Sequence, residues 1–142
     1  MEKYHSYSEA TKRIDRGIEN DYPFESITLC ESIIADRIYS HLYWHKKADD
    51  IKNTAYFGIL LKKLKNKSCH PEDWSMDGDL LLRIEQWIHN RNKLLHGIVT
   101  SIPKTPTDNI DTFIEEARAT AIEGKSLVRE VINWNRKSQI KA

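Results

Sequence analysis

The chain has 142 residues, of which 39% are hydrophobic and 30% are charged. This length suits one domain with its own core, so we predict a single domain over residues 1–142, and the composition excludes a disordered chain. The 22 Lys and Arg residues against 21 Asp and Glu give a formal net charge of +1, which excludes a globally basic protein, so any nucleic-acid contact must be local.

The sequence carries no mark of export, membrane insertion or zinc binding. Its N-terminus has no apolar core, and no stretch approaches the roughly 18 apolar residues of a membrane span. Cys30 and Cys69 lie 39 positions apart without a CxxC pair. We therefore expect a cytoplasmic protein with reduced cysteines and no cofactor.

Gly and Pro are few, and they separate segments with helical periodicity, which predicts four main helices after an N-terminal one. Ser8 is expected to cap the first helix, over residues 8–19, and residues 21–23 break it. The second helix is predicted over 24–45. Its core stripe comprises Ile27, Ile34, Ile38 and Leu42.

Residues 51–66 are predicted to form a third, amphipathic helix, followed by an irregular connection over 66–78. Its apolar side is expected to carry Tyr56, Ile59, Leu60 and Leu64. A basic run lies on the other side, at Lys62, Lys63, Lys65 and Lys67. Such a run is more often a solvated helix face than an RNA contact, and both interpretations stay open.

The fourth helix is predicted over 80–96, with Asp77 or Asp79 as its cap and Gly97 as the left-handed residue just past its end. A last helix is expected to begin at Thr107 or Asp108 and to end near Lys137. Its apolar positions are Ile110, Ile114, Ala117, Ala121, Gly124, Leu127, Val131 and Trp134. No segment alternates with period two, so the predicted fold class is all-α, an antiparallel helical bundle.

Arg91 is an anomaly within the fourth helix. At about 100° per residue it falls inside an apolar arc formed by Leu80, Ile84, Trp87, Ile88, Leu94 and Leu95. A guanidinium near a core needs a partner or a function. It could reach solvent along its own stem, or pair with Glu31 or Asp36 of the second helix, or serve in a functional site.

A polar stripe runs along the flank of the same helix. It contains Glu85, His89, Asn92 and His96, at spacings of four, three and four. Glu85 and His89 are typical of a solvent-facing flank. His96 lies at the helix C-terminus, where the macrodipole favours a protonated imidazole and where a ligand can reach it.

Other chemistries find little support in the sequence. His89 and His96 are two turns apart, about 10 Å along the axis, which is too far for one metal ion. No Ser or Cys lies in a nucleophile elbow, and no glycine-rich phosphate loop is present. We therefore expect no metal site.

The segment Arg91-Asn92-Lys93-Leu94-Leu95-His96 resembles the signature of the HEPN superfamily, in which an Arg, often followed by Asn, precedes a His by four to six intervening positions. Here the intervening count is four. The motif ends a long helix and precedes a loop and a final long helix, in an all-α chain of the size typical of this family.

The resemblance implies a metal-independent endoribonuclease of toxin–antitoxin, phage-defence or CRISPR-associated systems, with RNA as its substrate. A ribose 2′-OH would attack the adjacent phosphate, with His96 as general acid and base and Arg91 as phosphate clamp. Asn92 would orient His96 or hold a phosphate oxygen. The further candidates for substrate binding are Lys93, His89, Glu31 and Asp36. Glu31, Asp36 and Arg37 are also possible counterparts of the polar motif that some members carry on an early helix.

The resemblance also implies a homodimer. Arg91 and His96 lie about 140° apart on an ideal helix and share no face. Members of the family commonly dimerise with their motif helices facing each other, which would assemble Arg91, Asn92 and His96 of two copies around one cleft.

One departure concerns regulation. Ile98 stands where many toxins silenced by a nucleotidyltransferase antitoxin carry the modified Tyr, two positions after the His. Silencing at that site is excluded, although another antitoxin or regulatory protein stays possible. Two alternatives remain open: a non-catalytic HEPN-like module that binds RNA, nucleotide or a protein, and an unrelated interaction protein that uses exposed Trp44, Trp74 or Trp134.

Overall fold

The computed structural model describes residues 2–44, 57–65, 76–99 and 110–141, which form five helices and no strand. The helices are α1 (Glu2–Glu19), α2 (Pro23–Trp44), α3 (Phe57–Lys65), α4 (Gly78–Val99) and α5 (Ile110–Lys141). The predicted all-α helical bundle is therefore confirmed. Within these ranges, no helix combines the length and the apolar character that crossing a bilayer requires.

Two predicted helix starts differ from the structure. Helix α1 begins at Glu2, so Ser8 is an interior residue rather than a cap. Its early turns are anchored by the Tyr7 hydroxyl, which donates to Asp36 of α2, and this tertiary contact outweighs the local capping preference of a serine. Helix α4 begins at Gly78, and the carbonyl oxygen of Asp77 accepts from the amide of Leu81 at 3.0 Å, which fits Asp77 as the cap.

The predicted ends of α4 and α5 are also wrong. Helix α4 continues through Gly97 to Val99, and no described glycine has a positive φ. A Cβ built on Gly97 would lie 3.6 Å from the ring of Phe113, so packing against α5 supports this turn without a left-handed residue. Helix α5 runs on to Lys141. The predicted start of α5 and residues 51–56 of the third helix fall outside the described residues.

The turn between α1 and α2 has the predicted break and a close backbone approach. Asp21 adopts a left-handed conformation with φ of 60°, and the amide of Tyr22 donates to the carbonyl of Gly17 at 2.7 Å. A Cβ on Gly17 would lie 2.1 Å from the hydroxyl oxygen of Ser26, which donates to the carbonyl of Ile14 at 2.7 Å. Gly17 thus leaves room for the close approach of Ser26 to α1.

Helix α2 is central and packs against α1, α3 and α5, while α4 packs against α5. Helix α1 runs antiparallel to α2, and α4 runs antiparallel to α5, as the predicted antiparallel bundle requires. In contrast, α2 and α5 run in the same direction. Phe24 stacks on Phe113 near their first turns, with ring centroids 5.9 Å apart, and Arg37 Nη1 donates to Asn135 Oδ1 at 3.1 Å near their last turns.

Most predicted core positions are buried, with exceptions on α3 and α4. The stripe of α2 is fully confirmed, since Ile27, Ile34, Ile38 and Leu42 are at most 2% exposed. On α3, however, Ile59 is 50% exposed, and Phe57 and Leu61 are buried beside Leu60 and Leu64. Leu95 of α4 is 40% exposed. Both errors concern residues at the edge of an apolar arc, where neighbouring helices decide the depth of burial.

Candidate active site at the end of helix α4

Two contacts fix α4 on α5 before the motif begins. The indole of Trp87 is fully buried and donates to the carbonyl of Thr120 at 2.8 Å, and a Cβ on Gly124 would lie 2.8 Å from its ring. Arg83 binds both carboxylate oxygens of Glu130, at 2.6 and 2.7 Å. The last turns of α4 therefore project from a well-held helix.

Arg91 pairs with the second helix, as one of the sequence-based alternatives predicted. Its Nη1 donates to the Glu31 carboxylate, and its Nη2 donates to Asn92 Oδ1 at 2.8 Å. The Arg91 side chain is 19% exposed, and its Nε is buried with no hydrogen-bond partner in the described part of the chain. The structure thus brings Arg91, Asn92 and Glu31 together.

His96 lies one turn beyond Asn92, about 40° around the helix from it. It is exposed, as are Asn92, Lys93 and His89. Ideal helix geometry separates Arg91 and His96 by about 140° around the axis, so the general base and the phosphate clamp of the predicted mechanism do not share a face of one chain.

His89 borders a shallow, open depression along α4. Its described lining comprises Leu82, Glu85, Gln86, His89 and Asn90. Glu85 pairs with Lys65 of α3, with 2.6 Å between Oε1 and Nζ. Lys65 thus contacts α4, although it and Lys62 of the same basic run are both exposed. Lys67 falls outside the described residues.

Asp36 does not join the candidate site. It lies five residues after Glu31, about 7 Å further along α2. There it accepts from the Tyr7 hydroxyl and from Arg37 Nη2 at 2.8 Å. Burial, followed by the hydrogen bond to Asp36, holds the pKa of Tyr7 well above its usual value. Asp36 is therefore part of a separate polar cluster.

The described cysteine is not a candidate nucleophile. Cys30 is fully buried, and burial raises the pKa of its thiol to about 12. A thiol in such surroundings is protonated and unreactive at neutral pH. Among the described residues, no group of three His, Cys, Asp or Glu side chains is arranged to hold a metal ion. Cys69 is outside the described residues.

Two features of the structure were not predicted from the sequence: the packing of Trp134 and the basic residues of α5. Trp134 is half-buried and its ring lies 4.4 Å from that of His41, which is itself fully buried. Trp134 is thus a packing residue in the described structure, while Trp74 and the side chain of Trp44 are not described. Basic residues also recur at seven-residue spacing on α5, from Arg118 to Lys125 and from Arg129 to Arg136.

Comparisons with protein-family models, with curated proteins and with solved structures return no match to this chain. The resemblance to the HEPN superfamily thus depends on the motif of α4 and its surroundings. The structural feature that bears most directly on the chemistry of this motif is the set of contacts that Arg91 makes.

Proposed function

We propose that this chain is a metal-independent endoribonuclease of the toxin or phage-defence type, related to the HEPN superfamily and active as a homodimer. The observation that carries the proposal is the pairing of Arg91 with Glu31. It holds a guanidinium near the surface, within a motif whose histidine is exposed at the end of the same helix.

The residues suit cleavage by the ribose 2′-OH. His96 would take the proton from the attacking hydroxyl, and the His96 of the second copy would protonate the leaving 5′-oxygen. Glu31 fixes one edge of the Arg91 guanidinium, and the Nη2 edge, which lies beside exposed Asn92, would meet a phosphoryl oxygen. The products would be a 2′,3′-cyclic phosphate and a 5′-hydroxyl.

The apolar flank of α4 favours the homodimer. On the helical wheel, Leu95 lies between Arg91 and His96, about 40° from the first and 100° from the second. It is 40% exposed, and half-buried Ile88 and Leu81 precede it at heptad spacing. A twofold contact along this line would bury the apolar strip and bring both polar flanks to the interface.

A second candidate function is a non-catalytic module that binds RNA, nucleotide or a protein partner. The observation in its favour is that the Arg91 side chain is only 19% exposed and already neutralised by Glu31. A guanidinium held in this way also serves as a structural link between α2 and α4. Cleavage of RNA distinguishes the two functions, because only the nuclease needs a titrating group at His96.

The test is incubation of purified wild type and His96→Ala with total RNA and with tRNA in EDTA, followed by mapping of the product ends. His89→Ala is the matched control, since it removes an exposed imidazole two turns earlier on the same helix. We expect His96→Ala to lower the cleavage rate by about 10² to 10⁴ and His89→Ala by less than about tenfold, with both proteins folded.

Cleavage by wild type that leaves 2′,3′-cyclic phosphates would support the nuclease and its mechanism together. Loss of cleavage in EDTA would rule out the metal-independent mechanism. Absence of cleavage under every condition, with RNA binding retained, would favour the non-catalytic module.

A further inference from the structure

The exposed face of α5 carries a cationic stripe that the proposed active site does not use. Its basic members are Arg118, Lys125, Arg129, Arg136 and Lys137. At about 100° per residue the first four fall within roughly 40° of one another around the helix, and the stripe extends about 27 Å from Arg118 to Arg136. Exposed Ser126 and Asn133 lie beside them.

Acidic residues are absent from this stripe between positions 118 and 137. Glu130 faces α4, where it holds Arg83. Glu123 lies about 120° around the helix from Arg129. A chain with 22 basic and 21 acidic residues thus presents one helical face on which the basic residues are not interleaved with acids.

The arginines of the stripe also differ from most others in the described chain. Four arginines have acidic partners on the same or a neighbouring helix: Arg13, Arg37, Arg83 and Arg91. In the described structure, no ion pair or hydrogen bond is made by the side chains of Arg118, Arg129 and Arg136. Within the stripe, only Lys125 forms an ion pair in the described structure, and its partner is Asp15 of α1. The stripe therefore retains positive charge that the fold does not neutralise.

The chemistry of the stripe fits a phosphate backbone. Arginine binds phosphate oxygens through two parallel N–H donors, and Ser and Asn side chains add hydrogen bonds to phosphate and sugar. An anionic membrane surface is a poorer fit, because a membrane-bound helix needs a broad apolar face and Ile122 is the one large apolar side chain exposed on the described stripe.

We infer that the α5 stripe is a second RNA-binding surface, which holds the backbone of a structured RNA outside the active site. This inference rests on the proposed function for the identity of the polyanion. Trp87 of α4 lies against Thr120 and Gly97 against Phe113, so Arg118 lies at about the height of Arg91 in the bundle. From Arg118 the stripe extends away from this level, toward the C-terminal end of α5. A long RNA bound at the active site could therefore also contact the stripe, whereas a short oligonucleotide could not.

The experiment measures binding of fluorescently labelled tRNA by anisotropy across a salt series, in the His96→Ala background so that the RNA stays intact. The test variant adds R118A, R129A and R136A. The matched control adds K12A, R13A and R16A, which remove the same charge from exposed positions on α1. Thermal unfolding followed by circular dichroism checks that all three proteins are folded.

Each phosphate contact contributes about 0.7 on a single strand and about 0.9 on a duplex to the slope of log affinity against log salt. We therefore expect the stripe variant, which lacks three arginines, to lose about 2 to 3 from that slope. Its affinity at low salt should fall by at least about tenfold. The control should keep the slope within about 0.5 of the parent. An unchanged slope in the stripe variant, or an equal loss in the control, would overturn the inference.

Cleavage assays with His96 intact separate this inference from the proposed function. The stripe variant should cleave a short oligonucleotide at the wild-type rate and raise the KM for tRNA. If wild type cleaves nothing but the salt slope depends on the stripe, the proposed nuclease fails and the binding surface stands. If wild type cleaves and the stripe variant binds phosphatidylserine vesicles less well but tRNA equally, the stripe serves a membrane and the inference fails.

Discussion

Two arginines link α2 to other parts of the bundle, and they differ in how completely the fold satisfies them. Arg37 binds Asp36 through Nη2 at 2.8 Å and Asn135 through Nη1 at 3.1 Å, and its guanidinium lies 5.0 Å from the ring centroid of Tyr7. Asn135 is fully buried and returns a hydrogen bond from its amide nitrogen to the Arg37 carbonyl at 3.1 Å. All three nitrogens of this guanidinium thus donate to acceptors of the protein.

Arg91 is held less completely. Glu31 takes one edge, Asn92 shares another from an exposed position, and Nε has no partner in the described structure. A buried network that satisfies all its members rigidifies a fold, whereas a buried polar atom without a partner calls for another explanation, such as a role in a functional site. We therefore expect a structural role for Arg37 and keep Arg91 in the proposed chemistry, and substitution tests both expectations.

The largest expected effect is on catalysis by Arg91→Ala. Removing a cation that stabilises charge on the phosphoryl group should lower the cleavage rate by about 10² to 10³. The free energy of unfolding should also fall, by about 2 kcal/mol, because the Arg91 and Glu31 side chains are only 19% and 24% exposed and Glu31 loses its partner. Single-turnover cleavage and urea unfolding measure the two quantities on the same preparation.

Arg91→Lys serves as the companion variant. A lysine keeps the charge but lacks the planar fork that contacts Glu31 and a phosphate together, so activity should remain low. Full activity in either variant would mean that Arg91 is structural, as the non-catalytic alternative requires.

Arg37→Ala should have the opposite profile. It leaves the buried Oδ1 of Asn135 without its donor and breaks the pair with Asp36, so we expect the free energy of unfolding to fall by about 3 kcal/mol. Cleavage per folded molecule should stay at the wild-type level, measured well below the melting temperature. A selective loss of cleavage in a stable Arg37→Ala protein would contradict the distinction between the two arginines.

Much of the fold follows from periodicity alone. Ile34 and Ile38 have the spacing of a buried stripe, and the structure buries both completely. Helix ends were less predictable from the sequence. The preference of Ser8 for a capping position and that of Gly97 for a left-handed turn depend only on neighbouring residues in the chain. Contacts with other helices, such as Phe113 against Gly97, override such preferences.

Sequence patterns named the candidate residues but could not choose among the possible contacts of Arg91. The wheel places Arg91 toward the core and leaves open both escape to solvent and pairing with Glu31 or Asp36 of α2. The choice between Glu31 and Asp36 depends on a shift of about 7 Å between α2 and α4, which no pattern within one helix contains. The α5 stripe was missed for a related reason. Each exposed arginine is ordinary by itself, and the missing acids are apparent only when the face is considered as a whole.

The smallest expected effect is an alkaline loss of stability that originates in the Arg37 cluster. Burial and the hydrogen bond to Asp36 hold the pKa of Tyr7 in the folded state above the ordinary value of 10.0. The folded protein thus keeps this proton more tightly than the unfolded chain, so the stabilisation is complete below pH 10 and declines as the pH rises further.

Cys30 contributes in the same direction from a lower pH, since its thiol titrates at 9.0 in the ordinary case and at about 12 when buried in this fold. Tyr7→Phe should lower the free energy of unfolding by about 1 kcal/mol at neutral pH and flatten its decline above pH 10. Urea unfolding at about pH 8 and about pH 10.5 measures both effects, and Cys30→Ala removes the earlier part of the decline. If the stability of Tyr7→Phe declines as steeply with pH as that of wild type, the Tyr7 hydroxyl is not buried in the folded protein. Tyr7 would then not be part of the polar cluster around Arg37.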